Sequence, residues 1–158
     1  MMAEIQVGQV APEFTLPTQT GDTVSLADCK GKIVVLYFYP KDDTPGCTLE
    51  AKTFCSLAQE FERAGAVILG VSRDTVASHQ KFAAKHELSG LTLLADTTSA
   101  VCDAYGVVKE KNMFGKKVLG IERTTFVIDR DGRIAKIYPK VKVDGHAEAV
   151  LAFVQSME

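Results

Sequence analysis

The chain has little that would suit it to nucleic acid, to a membrane or to a structural zinc. Its formal net charge is −2 and its pI about 5.9, so no basic excess is available to neutralise a phosphate backbone. Its longest unbroken apolar run, Ile33 to Tyr39, has seven residues, where a membrane span needs about 20. None of the four cysteines (Cys29, Cys47, Cys55 and Cys102) forms a C-x-x-C pair, and their separations of 18, 8 and 47 residues match no zinc ribbon or finger. The three histidines, His79, His86 and His146, lie far from those cysteines in sequence. There is no internal repeat, low-complexity block or Gly/Ser linker. No Lys or Arg precedes Lys30, and the start of the chain lacks both the basic and the apolar region of a secretory signal. A cytoplasmic location is therefore expected, a reducing space in which cysteines stay free, catalytic or metal-bound.

What is present suffices for one domain. With 158 residues, 46% of them hydrophobic, the chain is expected to bury about 68–70% of its unfolded surface. The expectation is a single domain over residues 1–158. Phe14-Thr-Leu16 and Thr23-Val-Ser-Leu26 flank the turn Gln19-Thr-Gly-Asp22 and predict an N-terminal hairpin. Ile33 to Tyr39 is β-branched and aromatic, which predicts a strand buried on both faces at the centre of a sheet. Pro40 ends it. After Lys41-Asp-Asp-Thr-Pro-Gly46 the apolar residues Ala51, Phe54, Ala58 and Phe61 recur at helical spacing, up to Gly65. Further strands are predicted at Ala66–Val71, Leu91–Leu94, Val118–Ile121, Thr124–Ile128 and Ile134–Tyr138. Further helices are predicted from Asp74 or Thr75 to Glu87, over Ser99–Tyr105 and over Ala147–Val154. This is the α/β element order of a thioredoxin-like fold: a central mixed sheet flanked by helices, with an N-terminal β-hairpin extension.

The informative segment is Tyr39-Pro-Lys-Asp-Asp-Thr-Pro-Gly-Cys-Thr-Leu-Glu50. It leaves the C-terminal end of a central strand and opens a helix, which is where open α/β sheets place their sites. Thr44 fits the N-cap and Pro45 the first helical position, where a missing N–H costs nothing. Cys47 is then the third helical residue, facing unpaired backbone N–H groups and the positive end of the helix dipole. Reactive cysteines occur in such surroundings, but so do small buried ones, and position alone leaves both readings open.

Pro40-x-x-x-Thr44-x-x-Cys47 resembles the active-site signature of the peroxiredoxins, cysteine-dependent peroxidases on a thioredoxin fold. The longer string Phe38 to Thr48 is similar to the bacterioferritin-comigratory, or peroxiredoxin Q, branch. So are Ala11-Pro-Glu-Phe14, Gly70-Val-Ser-Arg-Asp74 and Arg123-Thr-Thr-Phe-Val-Ile-Asp129. The resemblance implies a thiol peroxidase for hydrogen peroxide and organic hydroperoxides, working without cofactor or metal. It implies that the Cys47 thiolate attacks the peroxide and becomes a sulfenic acid. It further implies that Thr44 orients the peroxide and hydrogen-bonds the sulfur region, that Arg123 holds the thiolate charge and the peroxide oxygens, that Pro40 shields the thiolate, and that Glu50 orients the guanidinium. The expected partners are the peroxide and an external thiol: thioredoxin, glutaredoxin or a low-molecular-weight thiol. The expected state is a monomer.

Relatives in this branch keep a second, resolving cysteine either five residues after the first, where this chain has Lys52, or near Phe82-Ala83-Ala84. Cys55 is eight residues along the same helix as Cys47, about 12 Å away, where a disulfide needs Cα atoms about 4.4–6.8 Å apart. Cys55 and Cys102 are expected in the core, and Cys29 in a loop. Two other functions fit the architecture: a thioredoxin-fold metal carrier and a disulfide oxidoreductase. The first uses a C-x-x-x-C pair with a distant His, where this chain has Thr-Pro-Gly-Cys with one sulfur, and in the second Thr44 replaces the first sulfur of C-x-x-C.

Overall fold

The computed structural model describes residues 5–157, so the outermost residues of the expected domain, 1–4 and 158, lie outside the described residues. The predicted hairpin forms from β1 (Thr15–Pro17) and β2 (Thr23–Ser25), paired antiparallel. Leu26, expected in the second strand, instead opens a 3₁₀ turn, Leu26–Cys29. β3 (Ile33–Phe38) is buried along its whole length. On one side it pairs in parallel with β4 (Ala66–Ser72), which pairs in parallel with β5 (Thr92–Ala95). On the other it pairs antiparallel with β8 (Thr124–Ile128), which pairs with β9 (Ile134–Tyr138). The sheet order is β5-β4-β3-β8-β9, a mixed sheet with β3 at its centre.

The alternation of β3 divides the interior in two. Ile33, Val35, Tyr37 and Tyr39 point to one core, which also takes Cys47, Phe54, Phe61, Phe82, Val150 and Val154. Val34, Leu36 and Phe38 point to the other, with Phe14, Leu26, Val101, Cys102 and Tyr105. A strand buried on both faces must be apolar at every position, as this one is. The first core is roofed by α1 (Pro45–Ser56), α2 (Ala58–Arg63), α3 (Val76–Lys85) and α5 (His146–Ser156). The second is covered by the N-terminal hairpin and α4 (Ala100–Ala104). Helices thus lie on both faces, as expected.

Two local expectations need correction. The helix after Cys47 does not run unbroken to Gly65: Leu57, at φ −103° and ψ 5°, separates α1 from α2. Phe54 and Phe61, on either side of the break, both reach the same core with ring centroids 5.9 Å apart. A one-residue change of axis leaves the apolar spacing intact, so periodicity does not register it. The second correction is a hairpin of β6 (Val108–Met113) and β7 (Lys116–Ile121), of which only Val118–Ile121 was expected as strand. Its turn places Phe114 and Gly115 at φ 53° and 78°. Phenylalanine is an unusual occupant of that left-handed conformation, so the turn carries no sequence signal.

Candidate active site

The site is built where β3 ends and α1 begins. Thr44 is the N-cap of α1, with extended backbone (φ −97°, ψ 155°), and Pro45 is the first helical residue. Its hydroxyl does not close the cap; it donates to the Lys41 carbonyl at 2.9 Å. The expected hydrogen bond to the sulfur region is therefore replaced by a local one, which leaves the hydroxyl oxygen as an acceptor. Pro40 is half-buried at the start of the loop.

Cys47, Glu50, Ala51 and Phe54 form the buried face of α1, at i, i+3, i+4 and i+7. Cys47 is 1% exposed. Because Cys47 and Glu50 stand one turn apart on that face, one guanidinium can meet both. Arg123, in the connection between β7 and β8, does so: Nη1 donates to Glu50 Oε1 at 2.7 Å and Nη2 to Cys47 Sγ at 3.3 Å. The backbone of Arg123 is held in turn, its carbonyl accepting from the Val141 amide at 2.9 Å. Gly46 leaves room for this approach, since a Cβ there would lie 3.1 Å from Arg123 Nη2 and the guanidinium would have to give by a few tenths of an ångström.

The charges are consistent with this packing. Burial pushes the Glu50 carboxyl up from 4.5 to about 7, against the opposing pull of the Arg123 charge and hydrogen bond. Burial also works against the charge on Arg123, but Glu50 and Cys47 outweigh it and hold the guanidinium above its ordinary value. Glu50 Oε2 and the Tyr37 hydroxyl are buried without a partner among the described residues. Beneath the arginine, His146 hydrogen-bonds the Thr125 hydroxyl at 2.8 Å. Burial and then the Arg123 charge lower His146 to about 4, which keeps the ring neutral and adds no second cation under the guanidinium. His146, Thr125 and Gly46 are given no role in the site by the sequence alone; a glycine in the first turn of the helix is the only local signal among them.

The other cysteines are remote. Cys102 is fully buried in the second core, and burial raises its thiol well above the ordinary range. Cys29 closes the 3₁₀ turn rather than lying in an open loop, and it packs on the second core, beyond the start of β3. Cys47 lies on the opposite face at the far end of that strand, a length of about 20 Å. Cys55 is half-buried at the rim of the first core, with its thiol donating to the Ser89 carbonyl at 2.7 Å, so it is less enclosed than expected.

A thiol held on a helix N-terminus and touched by a guanidinium is suited to attack an oxygen that develops negative charge. Comparison with known proteins agrees. Residues 7–137 match the AhpC/TSA family. Peroxiredoxin Bcp of Xanthomonas campestris is 49% identical over 148 residues, covering 92% of each chain. Peroxiredoxin Bcp of Bacillus subtilis is 48% identical over 153 residues, covering 97% of each. The solved bacterioferritin comigratory protein of Xanthomonas campestris, studied for its alkyl peroxide reduction activity, superposes with a TM-score of 0.87 at 48% identity over 91% of each chain. The chain belongs to the AhpC/TSA family, and within it to the peroxiredoxin Bcp branch of thiol peroxidases on a thioredoxin fold.

Proposed function

We propose that Cys47 is the peroxidatic nucleophile, that Arg123 and Thr44 bind the peroxide around it, that Glu50 orients Arg123, and that Pro40 limits access of water to the sulfur. The observation that carries this is the paired contact of Arg123, with one nitrogen on Glu50 and the other on the Cys47 sulfur. The thiolate attacks the terminal peroxide oxygen. The O–O bond breaks, sulfur becomes a sulfenic acid, and the departing oxygen takes up a proton as water or an alcohol. Charge builds on both oxygens during that step. The guanidinium offers N–H donors in a fixed plane for them, and the Thr44 oxygen is free to accept from the peroxide O–H.

The activity of the Xanthomonas campestris relative supports alkyl hydroperoxides, besides hydrogen peroxide, as substrates here. The sulfenic acid is then attacked by an external thiol, giving a mixed disulfide and water, and a second thiol releases Cys47. The remoteness of Cys29, Cys55 and Cys102 supports this one-cysteine cycle. Thioredoxin, glutaredoxin or a low-molecular-weight thiol serves as reductant to a monomeric cytoplasmic enzyme, the whole chain working as one domain. Turnover measured in parallel with thioredoxin, glutaredoxin and glutathione tests the reading. Turnover with none of them, or undiminished turnover in Cys47→Ser, overturns it.

A further inference from the structure

The loop from β3 to α1 carries two consecutive aspartates, and α3 meets them with two histidines. His79 and His86 stand two helical turns apart, on one face of α3 and its C-cap. In the outer pair Asp43 is exposed and His86 half-buried. Asp43, in the left-handed region at φ 59°, places its two oxygens 2.8 Å from Lys85 Nζ and 2.8 Å from His86 Nε2. The inner pair is enclosed, with Asp42 7% and His79 0% exposed.

Every polar atom of the inner pair is engaged. Asp42 Oδ1 accepts from the Tyr39 hydroxyl at 2.5 Å, and Oδ2 accepts from the Ser78 hydroxyl at 2.7 Å. Oδ2 also lies 2.7 Å from His79 Nδ1, and His79 Nε2 lies 2.9 Å from the Leu94 carbonyl oxygen in β5. A carbonyl oxygen only accepts, so Nε2 carries a proton. Asp42 already accepts at both oxygens, so the short contact between Oδ2 and Nδ1 holds one further proton. The backbone of the same loop residue is fixed too: the Asp42 amide donates to Asp74 Oδ2 at 2.8 Å, an oxygen that also accepts from Ser72 at 2.6 Å.

A buried pair of ionisable side chains is a poor way to gain stability, and its best-attested use is to fix one geometry out of several. What is fixed here is the path of the loop between Pro40 and Thr44, and with it the start of α1. We propose that His79 and Asp42 are positioning residues of the peroxidase reaction: a buried hydrogen-bonded staple, backed by His86 and Asp43, that ties the loop to α3 and sets Thr44 and Cys47 against Arg123. The proposal rests on the roles given above to Cys47, Thr44 and Arg123.

Proton and nitrogen-15 NMR of the reduced, folded protein tests the inner contact without any turnover. A far-downfield proton held between Asp42 Oδ2 and His79 Nδ1 is expected; its absence would overturn the proposal. The second readout is the peroxide rate against the rate of Cys47 alkylation by iodoacetamide. In His79→Gln the peroxide rate is expected to fall by about a hundredfold, the order that an ångström of misplacement costs, while alkylation does not slow. Asp42→Asn donates from Nδ2 to a neutral His79 and accepts from Tyr39, so it is expected to stay within about tenfold of the parent rate. If the two rates fell in parallel, or if His79→Gln kept the parent peroxide rate, the role would be merely structural and the proposal wrong. Should His79→Gln fail to fold, Ser78→Ala removes one bond of the staple; a several-fold loss of peroxide rate supports the proposal and an unchanged rate overturns it. Failure of the functional reading is separable, because it would show as turnover in Cys47→Ser whatever the histidine spectrum.

Discussion

Replacing Arg123 with lysine keeps a positive charge beside Cys47 and removes the planar fork, which separates two ways of making a thiol fast. The first is to ionise it. Lowering a thiol pKa from about 8.5 to about 6 raises its thiolate fraction at neutral pH roughly thirtyfold. With a Brønsted slope of about 0.4–0.5, the weaker base loses about tenfold in nucleophilicity, so the net gain is only a few-fold. The second way is to stabilise the charge that develops on the peroxide oxygens. Arg123 uses Nη1 on Glu50 at 2.7 Å and Nη2 on the sulfur at 3.3 Å, and its side chain is 17% exposed. Its remaining N–H groups stay in the same plane for an incoming oxygen. A lysine ammonium has no such plane and reaches Glu50 or the sulfur, but not both with a donor to spare. Loss of one preorganised donor costs about 10²–10³ in rate, or about 3–4 kcal/mol. Arg123→Lys is therefore expected to slow single-turnover peroxide reduction by that order while changing the thiolate titration of Cys47 far less. Stopped-flow oxidation and ultraviolet titration of the thiolate, made on the same protein, give the two numbers. If the rate fell only in proportion to the thiolate fraction, the transition-state argument would be refuted.

Three further outcomes follow from the same geometry. Gly46→Ala puts a methyl group 3.1 Å from Arg123 Nη2, so the guanidinium must shift, and peroxide reduction should slow by about tenfold or more with little change in thermal stability. Glu50 binds its proton more tightly folded than unfolded, so between pH 4.5 and about 7 the unfolded chain ionises first and stability falls as pH rises. The loss is at most about 3 kcal/mol; Glu50→Gln should flatten it in urea melts at about pH 5 and about pH 8, and an unchanged slope would assign it to other groups. A variant lacking Cys29, Cys55 and Cys102 should turn over at close to the parent rate with a competent thiol. A stall after one turnover, or a Cys47–Cys55 bridge in non-reducing peptide maps, would instead mean that α1 unwinds during the cycle.

The parts of the fold legible in the sequence are those set by local pattern. Ile33 to Phe38 reads as a central strand because both of its faces are covered, and Thr44-Pro45 reads as a helix start because cap and proline rules are local. Cys47 and Glu50 share that stretch, so their common face follows from helical spacing. Arg123 is 76 residues from Cys47, and only the resemblance pointed to it. The Asp42–His79 contact spans 37 residues, and no spacing rule links a loop aspartate to a histidine on a later helix. The Leu57 break and the Phe114-Gly115 turn are set by packing and by a strained backbone, which composition does not report.

The central claim is that peroxide oxygen is transferred to the Cys47 sulfur. The most direct measurement is intact mass with peptide mapping after one equivalent of peroxide, with a sulfenic-acid trap present. The expected result is a single trapped adduct on the peptide bearing Cys47, formed in step with peroxide loss and absent from Cys47→Ser. An adduct on Cys29 or Cys55 instead, or peroxide loss at the parent rate in Cys47→Ser, would contradict it.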